Sequence, residues 1–245
     1  MYFEPWEQFR QSGVVSFDGE SQARKLVLSE ATHKKRMTAD ERREQIAQSA
    51  ARIIAQKGFW GMSLRDIAED LNITEALIYH YVESKDDLLR LVIEKIYDSQ
   101  AMDDFNYSNA LACDTDGGEH YYFPRFTLNI VLANCERTML VKLFTILYAE
   151  SLDPQHPAHD YFINRHRRFW SIVSEINWML PEPYASDRER FYELWSLAMS
   201  AMDGLQLRWL ADDSMNLVNE WMEFCAELFP LDVWKGYIDP VEFKK

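Results

Sequence analysis

The residues best equipped for chemistry are the histidines, cysteines and carboxylates, and their spacing offers little to a catalyst. His156 and His159 stand at i, i+3 where a helix is predicted to begin, a spacing that two metal ligands can share. Asp160 is a possible companion, but no cysteine or third histidine is near in sequence, and a helix entry carrying surface histidines is the better reading. No metal and no cofactor are therefore expected. Cys113, Cys135 and Cys225 are odd in number and widely spaced, which fits reduced thiols better than a disulfide frame or a zinc knuckle. The chain has no Gly-rich phosphate loop, no nucleophile elbow and no HExxH, so an enzyme is not expected.

What remains is binding chemistry, and it concentrates on short helices. Thr38-Ala39-Asp40-Glu41 is a Thr-x-x-Glu capping box ahead of Ile46, Ala47, Ala50, Ile53 and Ile54 at helical spacing, with Gly58 closing that helix. Ser63-Leu64-Arg65-Asp66 opens a second helix with Leu64, Ile67, Ala68 and Leu71 on its apolar face. Thr74 can cap a third, through Ile78, Tyr79 and Val82, and Ser84-Lys85-Asp86-Asp87 starts a fourth. Between the second and third helices lies Leu71-Asn72-Ile73, and Asn tolerates the left-handed conformation that a tight turn needs. Two short helices joined this way form a helix-turn-helix, whose second helix enters the DNA major groove.

The run Ser63 to Leu89, SLRDIAEDLNITEALIYHYVESKDDLL, resembles the signature of TetR-type (tetracycline-repressor-like) regulators. The matching positions are Ile67-Ala68, Ile73-Thr74, Ile78-Tyr79, Ser84-Lys85 and Asp87-Leu88, and the resemblance is specific over residues 40–97. Asn72 and Ala76 depart from it where Gly is common, and Val82 where an aromatic is usual. The resemblance implies base-edge contacts from Thr74, Glu75, Ala76 and Leu77, with Tyr79 and His80 near the DNA backbone. Lys85, at the start of the fourth helix, would hold a phosphate together with free backbone N–H groups. Thr38 and Arg65 are further candidate phosphate contacts. Glu75 has two readings: acceptor for a cytosine amino group or a neighbouring Arg, or a solvated acid favoured by the helix dipole. Lys34-Lys35-Arg36 can be a minor-groove arm or a solvated basic tail.

Behind this head, helical patterns run over 123–152, 157–179, 187–211 and 214–229, with Ser186-Asp187-Arg188-Glu189 a further capping box and no convincing strand pair. The expected fold is all-α: a flexible extension (1–36), a three-helix helix-turn-helix domain (37–83) and a larger helical domain for dimerisation and effector binding (84–245). Helices 157–179 and 187–211 are apolar over more than one face, through Phe162, Phe169, Ile172, Val173 and Ile176 on one and Leu194, Leu197, Ala198, Ala201, Leu205 and Trp209 on the other. So wide an arc needs both an internal core and a second subunit, and the resemblance implies a homodimer through these helices. Polar residues that interrupt apolar faces mark a candidate small-molecule site. They are His166 between Phe162 and Trp170, Asn129 and Asn134, and Asp203 between Met199 and Leu207. Each could equally bond a neighbour or face solvent.

Net charge is −14, yet residues 34–90 carry ten basic and ten acidic side chains, whereas residues 91–245 carry 13 against 25. The excess acid should therefore face away from phosphates, and an acidic protein can still bind DNA through a locally balanced head. No run approaches the ~20 apolar residues of a membrane span, and no secretory signal is read at the N-terminus, so a cytoplasmic location is expected. The resulting expectation is a sequence-specific DNA-binding regulator, a repressor released from a pseudo-palindromic operator by a small-molecule effector. The alternative is an architectural or interaction protein on the same fold with no effector.

Overall fold

The computed structural model describes residues 37–98 and 120–238. The predicted extension 1–36, with its Lys34-Lys35-Arg36 run, and Cys113 lie outside the described residues, as does most of the expected loop 103–121. Helix α1 (Ala39–Gly61) starts where the capping box predicts: Thr38 Oγ1 accepts the Glu41 N–H at 3.2 Å, and the Thr38 N–H donates to Glu41 Oε2 at 2.7 Å. Such a cap contributes about 1 kcal/mol. At Gly58 the backbone takes φ 76°, ψ 167°, breaking the helical path, and the chain resumes one more turn through Phe59. Ser63, Thr74 and Ser84 cap α2 (Leu64–Leu71), α3 (Glu75–Tyr79) and α4 (Lys85–Val92), and α4 continues as a wider π-helical turn, Ile93–Asp98.

The C-terminal half departs from the sequence reading in three places. The stretch 123–152 is two helices, α5 (Phe123–Glu136) and α6 (Thr138–Glu150), because Arg137 leaves helical geometry at φ −127°, ψ 45°. Helix α7 (His159–Val173) ends well before 179. The chain then turns so that β2 (Trp178–Met179) pairs in parallel with β1 (Tyr121–Tyr122), a two-residue ladder that alternation could not reveal at this length. Helix α8 (Arg188–Ala211) is capped by Asp187, which accepts the N–H groups of Glu189 and Arg190, while the Ser186 hydroxyl turns to Glu182. One oxygen, Asp187 Oδ1, accepts both amides, at 3.0 and 3.1 Å. Helices α9 (Leu217–Leu228) and α10 (Leu231–Trp234) complete the order.

Two hydrophobic cores result. The first joins α1–α4 to α6 and the start of α7, with Ile46, Ile54, Phe59, Ile67, Ile78 and Leu88 packed together with Leu143, Phe144 and Phe162. The second gathers α5, α7, α8, α9 and α10 around Phe126, Trp195, Trp221, Phe229 and Trp234. A polar clamp reinforces the first. Glu150, the last residue of α6, accepts the N–H of Phe59 at 2.7 Å and that of Trp60 at 3.4 Å, two donors left open by the break at Gly58. His156, only 2% exposed, packs edge-on against Phe59 and Trp60, with Nε2 3.9 Å from Glu150. It is therefore not the surface histidine that its polar neighbours suggested. Its burial pushes its pKa down, against the pull of Glu150.

Gly58→Ala should be costly on two counts, since the positive φ disfavours a side chain and the new Cβ would collide with Glu150 Oε1. The expected loss in urea unfolding is about 2–3 kcal/mol. Adding Glu150→Ala should cost less on the Gly58→Ala background than on the wild type, because the collision is then relieved.

Candidate nucleic-acid interface and effector cavity

Helices α2 and α3 are set by local bonding. The Ser63 N–H donates to Asp66 at 2.8 Å and Ser63 Oγ accepts the Asp66 N–H, a second reciprocal capping box. Lys57 reaches Asp66 at 2.6 Å and Arg52 reaches Asp70 at 2.7 Å, tying α1 to α2. Lys57 and the two Ser63 donors hold the Asp66 carboxyl down at about 2. Asn72 adopts φ 51°, ψ 49°, the left-handed turn expected of it, and the Ile73 N–H returns to the Ala68 carbonyl at 2.9 Å. Thr74 Oγ1 accepts the Leu77 N–H at 3.2 Å. Ile78 and Val82 anchor α3 in the first core. Its other face is open: Thr74, Glu75, Ala76, Tyr79 and His80 are exposed and Leu77 is half-buried.

The remaining head residues are placed as follows. Thr38 is exposed at the N-cap of α1. Arg65 is exposed on α2, bonded to Glu69 at 2.8 Å, and its pKa is raised first by that bond and then by the charges of Glu69 and Glu75. Glu75 thus has a cationic neighbour on the adjacent helix. Lys85 differs from expectation in direction: its ammonium donates to the Trp60 carbonyl at 3.3 Å and lies 4.6 Å from the centre of the Phe59 ring. Burial lowers its pKa, partly offset by Glu150 and Asp86.

In the second half, a cavity of about 140 Å³ opens between α5, α6, α7 and α8. Four of the residues singled out from sequence line it, namely Asn134, His166, Met199 and Asp203. Three others are not brought to it. Phe162 packs on Phe144 and Tyr148, Trp170 packs on Phe191, Tyr192 and Trp195, and Asn129 is buried elsewhere on α5. An i+4 step on a helix turns a side chain by 40°, enough to carry it from the cavity into a core.

Sequence reasoning missed Arg165, Gln206 and the aromatic wall of Phe126, Phe144, Phe169 and Trp195. Arg165 stands three residues after Phe162 and four before Phe169, so its interruption of that apolar face was a signal present in the sequence. The Arg165 guanidinium sits 4.7 Å from the Phe144 ring centre and 4.8 Å from that of Phe169. His166 lies 4.3 Å from the Trp195 ring, within 3.3 Å of the Tyr192 hydroxyl, and burial together with Arg165 pushes its pKa down. Asp203 is pushed up to about 6 by burial, which Arg165 only partly offsets. Among the described residues no cluster of three or more His, Cys, Asp or Glu side chains could hold a metal ion, and His159 bonds the Ser151 carbonyl instead.

Residues 46–92 match the family described as bacterial regulatory proteins, tetR family. This segment is of the TetR type. The chain is 32% identical over 60 residues to the HTH-type transcriptional regulator HbdR of Aromatoleum sp. (strain CIB), covering 24% of this chain and 26% of that one. It is 35% identical over 68 residues to the HTH-type transcriptional regulator PksA of Bacillus subtilis (strain 168), covering 26% and 33%. The match thus spans a quarter to a third of these curated relatives. The fold is similar to that of a regulator from Saccharomonospora viridis solved in complex with choline, with TM-score 0.58, 16% identity, and 79% of this chain and 98% of that one covered. The TetR-type segment therefore coincides with the helix-turn-helix, and the fold likeness extends through the cavity-bearing half. No helix among the described residues is long and apolar enough to cross a membrane.

Asp203 should be a liability for stability. Its folded pKa is raised, so the native state holds the proton more tightly than the unfolded chain and gains stability as pH falls through about 6. Above that pH the ionised carboxylate is penalised. Asp203→Asn should therefore raise the melting temperature at pH 8, by about 1–3 kcal/mol of stability, with the gain shrinking towards pH 5. The wild-type-minus-variant difference cancels His156, which weakens the fold in the opposite sense as pH falls below its unfolded value.

Proposed function

We propose that the protein is a sequence-specific DNA-binding transcriptional regulator, a homodimeric repressor that leaves its operator when a small molecule fills the α5–α8 cavity. The observation that carries it is the open face of α3, five exposed residues on a helix anchored by Ile78 and Val82, within a TetR-type segment. Such a helix fits the major groove, where Thr74, Glu75, Ala76 and Leu77 would meet base edges. Tyr79, His80, Thr38, Arg65 and Lys85 would meet the backbone. Lys85 would have to swing from the Trp60 carbonyl to do so. Glu75 would be held by Arg65 and would accept a hydrogen bond from a base amino group.

A second subunit is supported by the outer faces of α7 and α8. On α8 the exposed positions Glu193, Leu197, Ser200, Gly204, Leu207 and Ala211 recur at steps of three and four, with Leu197 53% and Leu207 56% exposed. Ile163 on α7 is exposed beside them in type, at 51%. A stripe of leucines and small residues suits close packing against its own copy, and two recognition helices ~34 Å apart would read a pseudo-palindrome. The cavity favours an effector over the architectural alternative. Its wall includes Leu140 and Phe144, which also belong to the core shared with the head, so a ligand there would bias α6, α4 and the spacing of the recognition helices. The proposed division near residues 83 and 84 is then a mechanical joint within a shared core.

Binding to fragments of the protein's own upstream DNA should be tight at low salt and fall steeply as salt rises. Tyr79→Ala and Lys85→Ala should each weaken it by about tenfold, the size of one charged hydrogen bond at about 1.5 kcal/mol. Unchanged affinity in both variants would remove α3 and the start of α4 from the interface. A Cβ at Gly204 meets nothing within 4 Å in the single chain, so Gly204→Arg should leave the fold intact yet yield a monomer by sedimentation. A variant that stays dimeric would place the subunit interface elsewhere.

A further inference from the structure

Resting on the reading of the cavity as the effector site, we infer that its ligand is a small organic carboxylate, with the carboxylate on Arg165 and an aromatic or short aliphatic body against Phe126, Trp195 and Met202. Size sets the first bound. About 140 Å³ resembles a protein cavity that accommodates one benzene ring, so the ligand has roughly six to ten non-hydrogen atoms. The wall sets the second, because apart from a few polar groups it is aromatic and aliphatic, and a polyhydroxylated ligand would find too few partners.

Charge decides the head group. An aromatic wall with one carboxylate first suggests a cation, but the ring faces of Phe144 and Phe169 are already occupied by Arg165 at 4.7 and 4.8 Å. A second cation would lose those faces and meet a like charge. An anion gains on both counts, since a guanidinium attracts a carboxylate and its donor pattern matches one. Asp203, facing from α8, would oppose an anion only while ionised. Burial already holds it near 6, so an arriving carboxylate can be matched by one proton taken from solvent onto Asp203. The total charge of the site is then unchanged. The protonated Asp203 becomes a donor to the ligand.

Among the described residues, the other groups facing the cavity add no acid to this balance. From α7 these are Arg165 and His166, the latter's pKa pushed down by burial and Arg165. From α8 there is Gln206, and from α5 Asn134, both uncharged, while α6 contributes Leu140, Val141 and Phe144.

The test is a binding series on the full chain, followed by the fluorescence of its tryptophans, Trp195 included, and by calorimetry. Benzoate, phenylacetate and hexanoate are compared with benzamide, benzyl alcohol and benzylamine at pH 6, 7 and 8. At least one carboxylate should bind tenfold or more tightly than its amide and amine counterparts. Its affinity should fall about tenfold from pH 7 to pH 8, as the proton on Asp203 becomes harder to supply. Arg165→Met should remove the preference for the carboxylate while benzyl alcohol binding and the melting curve report an intact cavity, and Asp203→Asn should flatten the pH dependence. Preference for benzylamine, equal binding of all head groups, or binding of none of the six would overturn the inference. Binding of neutral probes without preference would leave the effector reading standing. A carboxylate that binds as expected but leaves operator affinity unmoved would sink the effector reading alone.

Discussion

The constraint on which the rest of this molecule depends is the contact between α1 and α6, closed by Glu150 on the amides of Phe59 and Trp60. A helix broken by Gly58 exposes backbone donors that need acceptors, and a carboxylate delivered from ninety residues away satisfies two of them. The same spot gathers the His156 ring and the Lys85 ammonium, so the end of α1, the start of α4 and the end of α6 meet in one cluster. Phe59 seals it from within, fully buried. The head is consequently one side of a continuous core, and the end of α6 meets the start of α4 across Phe59 and Trp60.

That continuity gives the cavity its position. It lies where the first core, through Leu140 and Phe144, meets the second, through Phe126, Val173, Trp195 and Met202. Interiors pack densely, so space left at such a junction is costly, and lining it with Arg165 and Asp203 is costlier still. A carboxyl raised to about 6 by burial destabilises the fold near neutral pH. Perturbed groups of that kind cluster at functional sites.

The helix-turn-helix side follows the opposite logic. Its helices are short and depend on caps more than on length: Thr38, Ser63, Thr74 and Ser84 each hold a first turn, and Asn72 supplies the one left-handed residue between α2 and α3. Isolated helices of five or eight residues would not persist in water. Here Ile67, Ile78, Val82 and Leu88 fasten them to α1, which leaves the outer side chains of α3 free of structural duty. On this face Glu75 is accompanied by Arg65.

The head was legible in the sequence residue by residue, because caps, turns and apolar periodicity act over three to five positions and need no distant partner. The four helix starts, the Asn72 turn and the buried Ile78 all follow from that rule. The second half was legible only as helices. Arg137 breaks a pattern that reads as one helix, and Asp187 takes over a cap that Ser186 offers equally well on paper. The two-residue pairing of β1 and β2 leaves no period to detect. For the cavity, periodicity could say that Asn134, His166, Met199 and Asp203 interrupt apolar faces, but not that Asn129, Phe162 and Trp170 turn away from it. Whether a side chain meets empty space or a neighbour depends on how helices far apart in sequence cross, and only the tertiary structure fixes those crossings. The same holds for Glu150 and Arg165, ordinary charged residues in the sequence, which the fold turned into a clamp and a cavity wall.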